Sequence, residues 1–281
     1  MLNSEEYIEQ GYLFQALHER LPANIPIQSV LAQVRDEVLS TTRLPLAVDY
    51  LLAELRHSGT MAPAMKQLKH YFAPFQTYLI DESESDRGRF DMRLAVDVLK
   101  REAEYRAKGF SRQGLFLYQF ETLCRNRLRY DPGLLAISED PAYDSDWQKW
   151  ILIIRRQVGI IDFADMIYVR SWHYVNRHQQ GGAAPAQPQQ PVLFGVREGK
   201  IALANRQKDP LFLFSALQRQ LGYPEVPRRI PVDDTPEKMT QMSRRLEQLA
   251  QRLKFVEEEQ RSGIDLTQFY GNPDASGPRP D

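Results

Sequence analysis

Apolar residues recur every three or four positions through most of the first 178 residues. Between Ser4 and Leu21 they fall at Tyr7, Ile8, Tyr12, Leu13, Ala16 and Leu17, the spacing of a helix that buries one face. Pro22 breaks the pattern. Pro26 suits a first helical position, and Ile27, Val30, Leu31, Val34 and Val38 carry the period on to Leu39. A third segment, Pro45 to His57, holds Leu46, Val48, Leu51, Leu52 and Leu55 and stops before Gly59. Pro74 opens a fourth through Phe75, Tyr78 and Leu79, which ends in the polar run Asp81–Asp86. The stretch Arg89–Ala107 places Phe90, Leu94, Val98 and Tyr105 on one face, with Gly109 as its stop. Ser111 caps the next helix, through Leu115, Tyr118, Leu123 and Leu128, before Asp131-Pro132-Gly133 turns the chain. Asp144 or Ser145 caps the segment of Trp147, Trp150, Ile151 and Ile154. Gly159 then separates it from a last helix, Asp162 to about Arg177. Short connections between so many helical periods predict an all-helical domain over residues 1–178.

The texture changes at residues 179–191, QQGGAAPAQPQQP, which carry no charge and no large apolar side chain. Such a composition buries too little surface to offset its ordering entropy and reads as a flexible linker. Beyond it, Val192–Val196 and Ile201–Ala204 flank a Gly199-containing turn and predict a β-hairpin. Asp209 and Pro210 then start an amphipathic helix that ends at Gly222, and the two prolines of Tyr223–Arg229 keep that segment extended. After Thr235-Pro236, the residues Met239, Met242, Leu246, Leu249, Leu253 and Val256 alternate spacings of three and four, a heptad seam. Residues 192–262 thus read as a small α+β unit of hairpin and helices ending in a long amphipathic helix, and residues 263–281 as a disordered tail. The fold class is mainly α, a multi-helical bundle or array of helical pairs followed by that unit.

Composition narrows the function. The 281 residues carry 36 Lys plus Arg against 37 Asp plus Glu, a formal net charge of −1. A nucleic-acid binder normally shows a clear basic excess, so nucleic acid is not the expected partner. The arginines of Arg125/Arg127/Arg129 are spread around their helix rather than gathered on a face. Hydrophobic residues at 42% and charged residues at 26% are ordinary for a globular chain. The densest apolar run, Trp150–Ile154, stops at Arg155 and Arg156, far short of the ~20 residues that span a bilayer. The N-terminus lacks the basic and apolar regions of a signal peptide, so a cytoplasmic location without membrane partners is expected. Cys124 is the one cysteine, which fits a reducing compartment and precludes an internal disulfide.

Candidate chemistry is sparse. Glu54 and His57 have the Glu-x-x-His spacing of di-iron bundles, but no second such motif accompanies them, so no metal and no cofactor are expected. Cys124 sits among Arg125 and Arg127, which favours a thiolate, yet it shares a stripe with Phe120 and Leu128, which reads as core. No Gly-rich phosphate loop, nucleophile elbow or zinc-protease motif occurs. Glu121, Arg125, Arg155, Asp162, Asp165 and Arg170 lie on or near apolar-faced helices and are the candidates for a polar ligand pocket, although the same residues suit ion pairs on solvated faces.

The stretches YIEQGYLFQALHERLP, LPLAVDYLLAELRHSGTMAPAM, HYFAPFQTYLI and LFGVREGKIALANRQKDPLFLFSALQRQLGYP together resemble a family of conserved hypothetical bacterial proteins. The resemblance implies a bacterial, cytoplasmic setting and carries no activity, cofactor or site residue. Two functions are therefore expected. The first is a non-enzymatic interaction or scaffold protein that binds a partner, or a copy of itself, through the seam Met239, Met242, Leu246, Leu249, Leu253 and Val256 and through inter-helix grooves. The alternative is an enzyme or small-ligand binder with an Arg/Asp-lined pocket in the helical domain.

Overall fold

The computed structural model describes residues 2–23, 25–39, 41–85, 90–179, 190–228 and Met242. These are mainly helical, and among them no strand forms. The two isolated bridges join Val158 to Ile161 and Ser171 to Phe194. The chain opens with α1 (Ser4–Arg20), α2 (Ile27–Glu37), α3 (Leu44–Ser58), α4 (Ala62–Gln67) and α5 (Pro74–Glu84). It continues through α6 (Met92–Ala107), α7 (Arg112–Arg125), α8 (Tyr130–Ser138) and α9 (Ser145–Gln157). Four further helices follow: α10 (Phe163–Tyr168), α11 (Trp172–Gln179), α12 (Val196–Ala204) and α13 (Pro210–Leu221).

Helix starts follow the cap chemistry in the sequence. The side chains of Asn3, Asp91, Ser111, Asp144 and Asp209 each accept a backbone N–H from the first turn they precede. Gly59 and Gly222, at φ +74° and +67°, end α3 and α13 in the left-handed conformation that glycine adopts without strain.

Helix α7 lies at the centre. Every residue from Gly114 to Leu123 is buried, so this helix has no solvated face. Helix α1 packs on α6, and α13 packs on α7. An aromatic cluster ties the pieces together: the Phe120 ring is 4.6 Å from Phe163 and 6.0 Å from Phe214, while Trp147 and Trp150 stand 5.4 and 5.2 Å from Phe194. Phe194, Leu213, Phe214, Leu217, Tyr223 and Val226 are thereby part of the same core as α1–α9. The compact unit runs from Met1 to Arg229.

Three expectations need correction. The segment expected as a hairpin is instead α12, Val196–Ala204, with Gly195 before it. Gly199 marks a close helix approach and not a turn, for a Cβ there would overlap the Ser171 hydroxyl. Asp131-Pro132-Gly133 does not turn the chain but lies in the first turn of α8, where proline forfeits no intrahelical hydrogen bond. A Cβ on Gly133 would come within 2.7 Å of Leu123 Cδ2, so this glycine too serves packing. The single helix expected from Asp162 to Arg177 is broken into α10 and α11, because residues around Ser171 turn out to meet Phe194. The heptad seam (Met239, Leu246, Leu249, Leu253, Val256) and the tail lie outside the described residues. Of the seam only Met242 is described, and it is exposed.

Candidate functional site

The charged residues of α6 do not all face water. Ala95, Leu99, Glu102 and Arg106 follow one another at helical spacing, so the apolar stripe of α6 ends in an ion pair. Arg106 Nε and Nη2 donate to Glu102 Oε1 at 3.1 and 2.6 Å. The other side of the guanidinium meets Asp140, with Nη1 3.4 Å from Oδ1 and a close ion pair from Nη2 to Oδ2. Asp140 is set by the turn after α8, where its Oδ1 also accepts the Ala142 N–H at 2.9 Å. Gln119 of α7 completes the group: its Nε2 donates to Glu102 Oε1 at 2.8 Å and its Oε1 accepts from Tyr143 Oη at 2.7 Å. The Tyr7 and Phe110 rings lie 5.8 and 5.7 Å from the guanidinium carbon.

All five polar members are buried, Arg106 with 3% of its surface exposed and Glu102, Gln119 and Asp140 with none. Burial works against the Arg106 charge, but Asp140 and Glu102 outweigh it and hold the guanidinium well above its usual range. Burial pushes the Glu102 carboxyl up, the Arg106 charge pulls it back, and the Asp140 charge adds to the rise. Glu102 Oε2 has no hydrogen-bond partner. Two acids around one base balance in charge only when one carboxyl holds its proton, and such a buried network is often no more stabilising than an apolar core of the same volume.

Above this network lies a cleft of about 510 Å³, with Arg106 and Asp140 reaching it from below. Its rim carries Arg43, Lys69 and His70, all exposed. Among the described residues none of the three has an ion-pair partner, whereas Glu6 at the same rim is occupied by the Arg43 backbone N–H, 3.1 and 3.2 Å from its two carboxylate oxygens. The 71–73 turn forms another wall. Gln10 Nε2 donates to Tyr71 O at 3.2 Å, Gln76 Nε2 to Gln10 Oε1 at 2.8 Å, and Ala73 N–H to Gln76 Oε1 at 3.0 Å. Tyr71 itself is 2% exposed, and its hydroxyl has no partner. A buried hydroxyl without a hydrogen bond costs about 1–3 kcal/mol, so it marks a place where a further acceptor stabilises the fold.

The residues expected to form a pocket sit elsewhere and satisfy one another locally. Glu121 and Arg125 form an i,i+4 pair at 2.5 Å, and Glu121 Oε2 also takes the Tyr223 hydroxyl at 2.8 Å. Arg155 pairs with Asp131 at 2.7 and 2.9 Å. Asp162 caps α10 and accepts the Gln207 N–H at 2.6 Å, while Asp165 pairs with Arg206, so these two acids together clasp the turn after α12. Arg170 Nη1 reaches Pro191 O at 3.4 Å, and burial lowers its affinity for the proton. None of the six lines the cleft. Glu54 and His57 form no site either: among the described residues no group of three His, Cys, Asp or Glu side chains is placed to hold a metal ion.

The cleft residues escaped the sequence reading because Glu102 and Arg106 look like a solvated i,i+4 pair. The signal that marks them is their place on the same stripe as Ala95, Leu99 and Ala103. No family model matches the chain, and no curated protein and no solved structure matches it. No described helix is long and apolar enough to cross a membrane.

Proposed function

We propose that the chain binds a small anionic ligand in the cleft between α1, the 69–73 turn and the turn after α8. One observation carries this reading: the cleft rim presents three basic side chains that have no ion-pair partner among the described residues, over a floor that holds a buried arginine. The Glu102–Arg106–Asp140 network fits a supporting role. Its cost is one that folding alone does not reward, and such groups concentrate where ligands bind. Rim arginine and lysine supply attraction and orientation to an oxyanion. The test is calorimetric titration of the full chain with inorganic phosphate and with acetate, repeated on Arg43→Glu and Lys69→Glu. Saturable binding to the wild type that both reversals abolish supports the proposal. Equal binding by wild type and reversals, or none at all, removes it.

A second reading, contact with another protein or a second copy of the chain, is favoured by a different region. Ile160, Ile161, Trp172, Leu211 and Phe212 are large apolar side chains left exposed on elements that touch one another around α10 to α13. The heptad spacing of Met239 to Val256 supports the same reading from sequence. Light scattering on the wild type, on Phe212→Glu and on a chain lacking residues 236–281 tests it. A monomer in all three, with no partner bound by any, counts against protein contact.

A further inference from the structure

A second compartment, of about 410 Å³, adjoins the first and shares Leu2, Tyr7 and Arg106 with it. Most of the charged and hydroxyl groups of this compartment already have partners within the protein. The Ser4 hydroxyl donates to Ala107 O at 2.9 Å. Arg112 donates to Ala142 O at 3.1 Å and to Asp144 Oδ2 at 2.7 Å. Arg106 is saturated by Glu102 and Asp140. The rest of the lining is mostly apolar: the rings of Phe110 and Tyr7 and the side chains of Leu2, Ala107 and Ala142. The first compartment is the opposite case, with Arg43 and Lys69 at its rim and no ion-pair partner for either among the described residues. Arg106 stands where the two meet, flanked by Tyr7 and Phe110, so that its flat faces are covered and its N–H groups point at acids of the protein.

We infer that the ligand is amphipathic: an oxyanion head, carboxylate or phosphate, sits among Arg43, Lys69 and His70, and an alkyl or aromatic body lies against Phe110 and Ala107. This rests on the anion-binding reading of the first compartment and adds to it the chemistry of the rest of the ligand. Apolar contact adds affinity in proportion to the surface removed from water, so the length of the body is a direct readout.

The experiment is a ligand-observed NMR titration of the full chain with acetate, butyrate, hexanoate and octanoate, and with methyl, butyl and hexyl phosphate, all below their micelle concentrations. The dissociation constant is expected to fall about fourfold per added methylene until the second compartment is filled. The two series run parallel, and the offset between them identifies the preferred head. Ala107→Leu narrows the second compartment and is expected to flatten the length dependence while leaving the acetate affinity within twofold, roughly the change that a remote apolar substitution makes. Phe110→Ala removes one wall and is expected to lower the slope independently. If short and long probes bind alike, or if the slope survives both substitutions, the amphipathic inference fails while anion binding stands. If no probe binds, both fail.

Discussion

The Tyr223 hydroxyl lies 2.8 Å from Glu121 Oε2 and 3.1 Å from Phe214 O, which joins the segment after α13 to the central helix. Two further bonds hold the same segment. Arg101 Nη1 donates to Glu225 O at 3.1 Å, and Asn126 Nδ2 donates to Pro227 O at 3.2 Å. Tyr223→Phe removes the hydroxyl and leaves the buried Glu121 carboxylate to Arg125 alone. A loss of about 1.5–3 kcal/mol is expected, the range for a hydrogen bond to a charged group. Urea unfolding monitored by tryptophan fluorescence measures it, and an unchanged midpoint would show that this bond contributes nothing.

Arg106 is the member of the buried network whose loss is predicted to cost most. Arg106→Met keeps much of the volume between Tyr7 and Phe110 but strands Glu102 and Asp140 together without a cation. Breaking a buried pair in this way costs about 3–5 kcal/mol. The triple change Glu102→Leu, Arg106→Met, Asp140→Leu is predicted to recover most of that loss, because it removes the charges together. Thermal unfolding of the two variants decides the point. A triple variant less stable than Arg106→Met would mean that the network is held by packing around it and not by charge pairing.

The Glu102 carboxyl predicts a definite sign of pH dependence. Burial holds its folded-state pKa above the ordinary 4.5, with Arg106 opposing and Asp140 reinforcing. Once pH rises past 4.5 the unfolded chain gives up this proton while the folded chain keeps it. The unfolded state then binds fewer protons, and stability falls with rising pH. The contribution is thus complete below pH 4.5 and lost as pH climbs through the folded pKa. Glu102→Gln has no proton to lose. The stability of the wild type relative to Glu102→Gln is expected to decline as pH is raised from 4.5, and a rise over that window would contradict it.

Cys124 is predicted to be a poor nucleophile despite its two arginine neighbours. Burial pushes its thiol up to about 12, while a hydrogen bond with Tyr130 pulls the other way. At pH 8 the thiolate is therefore a minor species, and the thiolate is the form that reacts. Ellman's reagent is expected to modify the native protein slowly and the urea-unfolded protein at the rate of a free thiol. Rapid reaction of the folded chain would overturn this.

Much of the fold is legible in the sequence, and the parts that are not share a cause. The caps Ser111, Asp144 and Asp209 and the stop at Gly222 act locally, between residues a few positions apart, and so can be read from residue type. Gly133 and Gly199 mislead because their reason is tertiary. Each lacks a side chain so that a distant element, Leu123 or Ser171, can come close. Leu46 and Ile8 keep the apolar period yet stay exposed, and Glu102 and Arg106 break it yet are buried. Periodicity shows that a helix has a stripe, but its neighbours decide how wide the stripe is. The cleft was invisible for the same reason: Arg43, Lys69 and Arg106 come from three separate elements, and only their assembly makes a site.

The Gln/Pro stretch has the composition of a hinge between domains, but its ends are fastened to one body. Arg170 O accepts the N–H groups of both Leu193 and Phe194, at 2.8 and 3.0 Å, just before the chain enters α11 on the other side of the stretch. A protease site placed between Gln180 and Gln189 should accordingly yield two fragments that elute as one particle under native conditions and separate only in denaturant. The same position is a natural port for cargo. Lengthening a closed loop costs only about 0.6 kcal/mol per doubling, so a tag or a fluorescent domain can be carried there while both chain ends stay unmodified.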